Sequence, residues 1–111
     1  MDFQDKPVVV TPTATGFSAK IVGPVHVNTA WIEGEFKKMA AAKPRSVDLD
    51  LSETTFLSSS GIGLLVSLCN EVKHGGGTFQ IVSVQKRVLA TLKYAHLDRM
   101  LNATAATVVP D

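Results

Sequence analysis

The chain has 111 residues, 45% hydrophobic and 19% charged, a composition that predicts one folded domain and argues against disorder. Its net charge of +1 gives no electrostatic reason to expect binding to nucleic acid or to an anionic membrane. The lone cysteine, Cys69, excludes an intrachain disulfide. Without a signal-like start or a long apolar run, we expect a cytoplasmic protein that does not insert into membranes.

The first part of the chain predicts two strands and one helix. Residues 1–16 are polar around a short valine run and predict at most an edge strand followed by a turn. Apolar and polar residues alternate over 17–22, which predicts a strand, and a Gly-Pro pair predicts a break after it. Asn28 and Thr29 are good helix caps. An apolar stripe with helical spacing follows, formed by Ile32, Phe36, Met39 and Ala40.

The second part predicts two strand–helix units. Residues 46–51 alternate between apolar and polar side chains, which predicts a strand with one buried face, and residues 53–55 predict a turn. A wide apolar stripe after residues 58–60 predicts a helix that packs deeply on a sheet. Residues 78–84 predict a strand, a third amphipathic helix follows, and residues 102–111 predict a frayed tail. This alternation predicts one α/β domain with a largely parallel sheet.

Three serines, Ser58, Ser59 and Ser60, lie where a loop is predicted to become a helix. Serine is a favoured helix N-cap, and one serine of the three suffices for that role. The others are candidates for phosphorylation, because the free N–H groups at a helix N-terminus tolerate a phosphoryl group. Gly61 and Gly63 follow, although glycine costs about 1 kcal/mol in a helix interior. Their presence predicts a close approach of other atoms to this end of the helix.

The residue pattern does not predict an enzyme. Gly-x-Ser-x-Gly is absent, and His26, His74 and His96 lie in three different connecting regions, so none is indicated as a base for a serine nucleophile. There is no metal-ligand spacing and no phosphate-cradling loop, and the glycines at 75–77 predict a helix-to-strand turn. We therefore expect no catalytic residues, no metal and no cofactor.

The residues Asp-Leu-Ser-Glu-Thr-Thr-Phe-Leu-Ser-Ser-Ser-Gly at 50–61 resemble the signature of STAS domains, the fold of bacterial anti-sigma-factor antagonists. The resemblance runs from about Phe17 to Leu101 and includes the glycine turn at 75–77 and a Leu-Asp-Arg segment at 97–99. It implies an α/β fold in which amphipathic helices pack against a mixed β-sheet.

The resemblance also implies a function. Antagonists of this family bind an anti-sigma factor that is itself a serine kinase. Phosphorylation of the first serine after a motif aspartate ends the binding, and a phosphatase restores it. By position that serine is Ser59, with Ser60 and Ser58 as secondary candidates. The implied partner-binding surface is formed by His26, Asn28, Ser58, Ser60 and Gly61.

Two acidic positions of the family are absent from this sequence. Ser58 replaces the motif aspartate, and His26 replaces the acidic residue before the first helix. Both losses favour an alternative, a STAS-like scaffold that is never phosphorylated and belongs to a signalling complex or to a lipid or anion transporter. In that alternative Ser59 is only a helix cap. The sequence leaves homodimerisation open.

Overall fold

The structure, a computed structural model, describes residues 8–26 and 29–110. Five strands and three helices alternate along these parts of the chain. In chain order they are β1 (Val8–Pro12), β2 (Gly16–Val25), α1 (Thr29–Ala41), β3 (Ser46–Leu57), α2 (Ser59–His74), β4 (Thr78–Gln85), α3 (Lys86–Tyr94) and β5 (Thr107–Val109). The α/β class predicted from the sequence is therefore confirmed.

The strands form one mixed sheet in the order β1-β2-β3-β4-β5. β1 runs antiparallel to β2, and each of the other neighbouring pairs is parallel. Because the parallel strands follow one another in one direction across the sheet, right-handed crossovers place α1, α2 and α3 on the same face. The first turns of these helices consequently lie at the edge where the parallel strands end.

The helix-covered face of the sheet forms the core. In β3 the side chains of Val47, Leu49 and Leu51 are fully buried, whereas Asp48 and Asp50 between them lie on the opposite, half-buried face. This alternation is the period of two that the sequence predicts for residues 46–51. The residues that α1 and α2 bury against the sheet include Ile32, Phe36, Met39, Leu65, Leu68, Cys69 and Val72.

Beyond the sheet, β2 and β3 continue together as a two-stranded ribbon. β3 pairs with β4 only as far as Leu51, but it pairs with β2 as far as Leu57, which lies opposite Val25. The ribbon consists of residues 22–25 and 53–57, and α2 begins two residues after it ends. The ribbon therefore fixes where the first turn of α2 stands.

The ribbon corrects two expectations from the sequence, a break at Gly23 and Pro24 and a turn at 53–55. Both segments are strand, because register shifts in the β2–β3 pairing accommodate the glycine, whose φ is +82°, and the proline. The fully buried Thr54 hydroxyl donates to the Ile21 carbonyl oxygen at 2.8 Å and so links the two strands next to these shifts.

The segment after α3 differs from the frayed tail expected for residues 102–111. Leu101 and Ala103 are buried, and the side-chain amide of Asn102 donates to the Phe79 carbonyl oxygen at 3.3 Å. Strand β5 then pairs with β4 and forms the edge of the sheet. The segment is ordered because it forms hydrogen bonds with β4 and buries its apolar side chains.

Candidate functional site

Ser58 joins the ribbon to α2 and holds the first turn of the helix. The Ser58 N–H donates to the Val25 carbonyl oxygen at 2.9 Å, which ties the residue to β2. The backbone of Ser58 is extended, with φ −73° and ψ 170°, and its hydroxyl oxygen accepts from the Gly61 N–H at 3.1 Å. Its carbonyl oxygen accepts from the Ile62 N–H at 2.9 Å. Ser58 is therefore the N-cap of α2.

Ser59 and Ser60 follow the cap in the first turn of α2, and both are exposed. The first N–H groups of a helix have no intrahelical partner, and together with the helix dipole they favour negative charge. The first turn of α2 contains no acidic residue that already supplies such charge. The fold can therefore accept a phosphoryl group on either exposed serine.

The hydrogen bond of Ser58 corrects the alternative in which Ser59 is the helix cap. A serine hydroxyl and an aspartate carboxylate are both favoured at an N-cap, because each offers an oxygen to the free N–H groups. Ser58, which stands at the position of the family aspartate, is thus the residue that caps α2. Ser59 is left exposed without a capping role.

We expect Ser58→Ala to lower the free energy of unfolding by about 1 kcal/mol, because the Gly61 N–H loses its acceptor. Ser59→Ala and Ser60→Ala should each change it by less than about 0.5 kcal/mol, as exposed substitutions do. Urea denaturation of the three variants measures the difference. A loss for Ser59→Ala as large as that for Ser58→Ala would contradict the assignment of the cap.

The ribbon presents an apolar surface beside the exposed serines. Phe56 lies opposite Pro24 in the β2–β3 register, and its ring lies near that of His26, with centroids 6.3 Å apart and planes tilted by 58°. Phe56 is 51% exposed and Val22 is 38% exposed. We call Val22, Pro24, His26 and Phe56 the ribbon patch. Because α2 begins three residues after Phe56, the Phe56 end of the patch lies close to Ser59 and Ser60.

The structure places four of the five predicted partner-binding residues at this end of α2, and three of the four are at least partly exposed. Ser60 is exposed, Ser58 is half-buried as the cap, and His26 is exposed directly after the ribbon strand that ends at Val25. Asn28 lies outside the described residues. Gly61 differs from the prediction because it is buried under the side chain of Val25 instead of facing solvent.

The two glycines of the first turns of α2 stand in different surroundings. A Cβ on Gly61 would lie 2.9 Å from Val25 Cγ1 and 3.3 Å from Leu57 Cδ2. A Cβ on Gly63 would meet no atom within 4 Å. The close approach predicted from the sequence is therefore confirmed for Gly61 and wrong for Gly63. Gly61 allows α2 to begin directly against the ribbon.

Two titratable side chains near the ribbon and in α2 have shifted pKa values because of structural contacts. Glu53, at the base of the ribbon, pairs with Lys20 on β2, and its hydrogen bond raises the pKa of Lys20. In α2, burial raises the pKa of the Cys69 thiol, which donates to the Met100 carbonyl oxygen at 3.5 Å. The thiol is therefore protonated at neutral pH and packs as an apolar residue. Within residues 8–26 and 29–110, no cluster of three acidic, histidine or cysteine side chains could hold a metal ion.

Comparison with known proteins identifies the fold. The STAS domain family model matches residues 13–109. An anti-sigma factor antagonist from Mycobacterium paratuberculosis has a TM-score of 0.76 at 19% identity, over 94% of this chain and 85% of that one. The unphosphorylated anti-sigma factor antagonist SpoIIAA has a TM-score of 0.72 at 13% identity, over 94% and 87% of the two chains. The fold implied by the sequence resemblance is thus confirmed.

A more distant structure shares the same fold. It is a chain in the complex of the diguanylate cyclase SiaD with its activator SiaC from Pseudomonas aeruginosa, with a TM-score of 0.54 at 13% identity over 93% of this chain and 99% of that one. At such identities each likeness shows the fold alone. In the part of the chain that the structure describes, no helix has both the length and the apolar character needed to cross a membrane.

Proposed function

Because this chain belongs to the STAS domain family, we propose that it is a non-enzymatic regulatory domain that binds an anti-sigma factor with serine kinase activity. Phosphorylation of Ser59 by that partner ends the binding, and a phosphatase restores it. The domain acts in the cytoplasm and thereby regulates transcription. The observation that carries the proposal is the exposure of Ser59 in the first turn of α2, beside a separate capping residue, Ser58.

The surroundings of Ser59 explain how a phosphoryl group would switch binding without unfolding the domain. The group adds about two negative charges near pH 7, and the free N–H groups of the first turn can hold them. The ribbon patch beside it is apolar, with Phe56 half exposed. A partner that covers Phe56 would also have to remove water from the phosphoryl group, which is unfavourable without matching cations. Phosphorylation therefore blocks the partner and leaves the fold intact.

Two observations on related structures support a regulatory role. The structures of SpoIIAA describe an unphosphorylated form and, for the Bacillus cell fate determinant, a phosphorylated form. The SiaD complex pairs an enzyme with an activating protein. Both are consistent with a small domain that acts by binding a protein whose activity it changes.

The test uses the full chain and a serine kinase of the anti-sigma type encoded by a neighbouring gene. We expect mass spectrometry to find phosphate on Ser59 after incubation with ATP, and Ser59→Ala to remove it. Ser60→Ala is the matched control, because Ser60 is equally exposed in the same turn. Ser59→Asp should weaken binding of the kinase about 100-fold. Absence of phosphate from Ser59, with unchanged binding of Ser59→Asp, would refute the proposal.

A scaffold that is never phosphorylated is the second candidate, favoured by Ser58 and His26 at positions that are acidic in the family. In this case the ribbon patch binds a constant partner in a signalling assembly or a lipid or anion transporter. Ser59→Asp would then leave binding unchanged, whereas Phe56→Ser would weaken it by removing an exposed aromatic anchor. A neighbouring gene for a transporter ATPase would support this candidate over the first.

A further inference from the structure

Strand β1 is an edge of the sheet, and none of the described strands pairs with its outer side. Proteins usually protect such an edge with charged side chains, a bulge, a very short strand or a proline, because its free backbone groups can pair with another chain. β1 has five residues without a charge, and its register with β2 contains no bulge. Its one protecting residue, Pro12, stands at the end of the strand. The outer side of β1 before Pro12 is therefore open to pairing.

The turn between β1 and β2 shows which backbone groups of β1 point outwards. The Thr13 N–H donates to the Gly16 carbonyl oxygen at 2.9 Å. Hydrogen-bonded and non-hydrogen-bonded pairs alternate along an antiparallel ladder, so the residues two and four positions before Thr13 also bond to β2. The N–H and C=O groups of Val8 and Val10 consequently point away from β2, towards the outer side of the edge.

An apolar hollow of about 230 Å³ lies along the same edge, lined by Val8, Val9, Val10, Trp31 and Glu35. All five residues belong to β1 or α1, so the hollow opens on the outer side of β1. Trp31, the chain's only tryptophan, is half exposed there. The one charged residue of the hollow, Glu35, is paired with Lys38 at 3.2 Å. The edge therefore suits an extended, uncharged strand with apolar side chains.

We propose that β1 pairs with β1 of a second copy of this chain in an antiparallel, two-fold symmetric dimer. With the two-fold axis at Val9, Val8 of each copy lies opposite Val10 of the other, and their outward N–H and C=O groups can bond to each other. A second copy fits this edge because each strand brings β-branched apolar side chains and no charge to the other. Pairing joins the sheets of the two copies and protects both edges. The proposal does not rest on the phosphorylation of Ser59.

Val9 is the residue that this pairing places opposite itself. It is 51% exposed and lies beside Lys20 on the uncovered face of the sheet, whereas the neighbouring pair, Val8 and Ile21, is buried in the core. In the dimer the two Val9 residues form a non-hydrogen-bonded pair, with Cα atoms about 4.5 Å apart. Like charges at this position would repel each other, and opposite charges would attract. An unrelated partner strand would not show this dependence.

The test is sedimentation equilibrium of the full chain over about 1–300 µM. We expect a dimer with a dissociation constant on the order of 10 µM, since the interface of two short strands is small. Val9→Lys alone and Val9→Glu alone should each weaken the dimer at least about tenfold, and an equal mixture of the two variants should restore it to within about threefold. The matched control is Val108→Lys, because Val108 is 46% exposed on β5 at the other edge of the sheet. It should dimerise like the unsubstituted chain.

Two spectroscopic measurements accompany the test. Emission of Trp31 should shift to shorter wavelength over the same concentration range, because the dimer shields its exposed ring. Circular dichroism should show that every variant folds, since Val9 lies outside the core. A chain that stays monomeric at the highest concentration would overturn the proposal. So would a dimer that Val9→Lys leaves unchanged, or a mixture of the two folded Val9 variants that remains monomeric.

Discussion

Gly77→Ala is expected to lower the free energy of unfolding by about 3 kcal/mol, a large effect for one methyl group. Gly77 closes the turn from α2 to β4, where its N–H donates to the Val72 carbonyl oxygen at 2.9 Å. A Cβ there would lie 2.3 Å from the Pro44 carbonyl oxygen and 3.0 Å from Val72 Cγ1. The backbone at Pro44 cannot rotate away as a side chain could, because Arg45 next to it accepts from the Thr78 N–H at 2.9 Å.

The two glycines before Gly77 supply matched controls in the same turn. A Cβ on Gly75 would meet its nearest atom, the Glu71 carbonyl oxygen, at an ordinary 3.5 Å, so Gly75→Ala should be close to neutral. Gly76 has φ +90°, and its replacement by alanine should cost about 1–2 kcal/mol in backbone strain. In thermal unfolding, Gly77→Ala should have the lowest Tm of the three variants, more than about 10 °C below that of the unsubstituted chain. Equal stability of Gly75→Ala and Gly77→Ala would show that the turn is not packed as described.

Strands and helices long enough to show a repeating pattern of apolar and polar residues could be predicted from the sequence. Residues 46–51 alternate over three buried and three half-buried side chains, enough to indicate both the strand and its buried face. Strand β5 has only three residues, too few to show an alternating pattern. It forms by pairing with β4, which lies more than 20 residues earlier in the chain. The glycine and proline in β2 signal a break locally, but pairing with β3 overrides that signal.

The position of the candidate site followed from the serines, but its details did not. Which serine caps α2 depends on the Ser58 hydrogen bond to Gly61, a geometry that three adjacent serines leave undetermined. Phe56 was missed because residues 53–55 suggest a turn. Had the strand been continued to Leu57, the period of two would have placed Leu57 inside and Phe56 outside, as the structure does.

Replacing Gly61 with valine should have the other large effect, because it fills the contact between α2 and the ribbon. Its Cβ would press on Val25 Cγ1 at 2.9 Å and Leu57 Cδ2 at 3.3 Å, and both side chains are themselves buried. Overpacking of this kind costs typically 1–3 kcal/mol, and the extra methyl groups of valine place this change near 3 kcal/mol. Gly63→Val is the matched control, since its Cβ enters open space and valine is the better helix former by a few tenths of a kcal/mol.

The same pair of variants separates packing from function. To relieve the contact with Val25, the first turn of α2 must move away from the ribbon, and Ser59 moves with it. We therefore expect Gly61→Val to reduce both the urea midpoint and the rate of Ser59 phosphorylation, while Gly63→Val retains both. A Gly61→Val protein as stable as the Gly63→Val protein would mean that α2 does not begin directly against the ribbon. Ser59 would then be presented by a looser first turn than the one described.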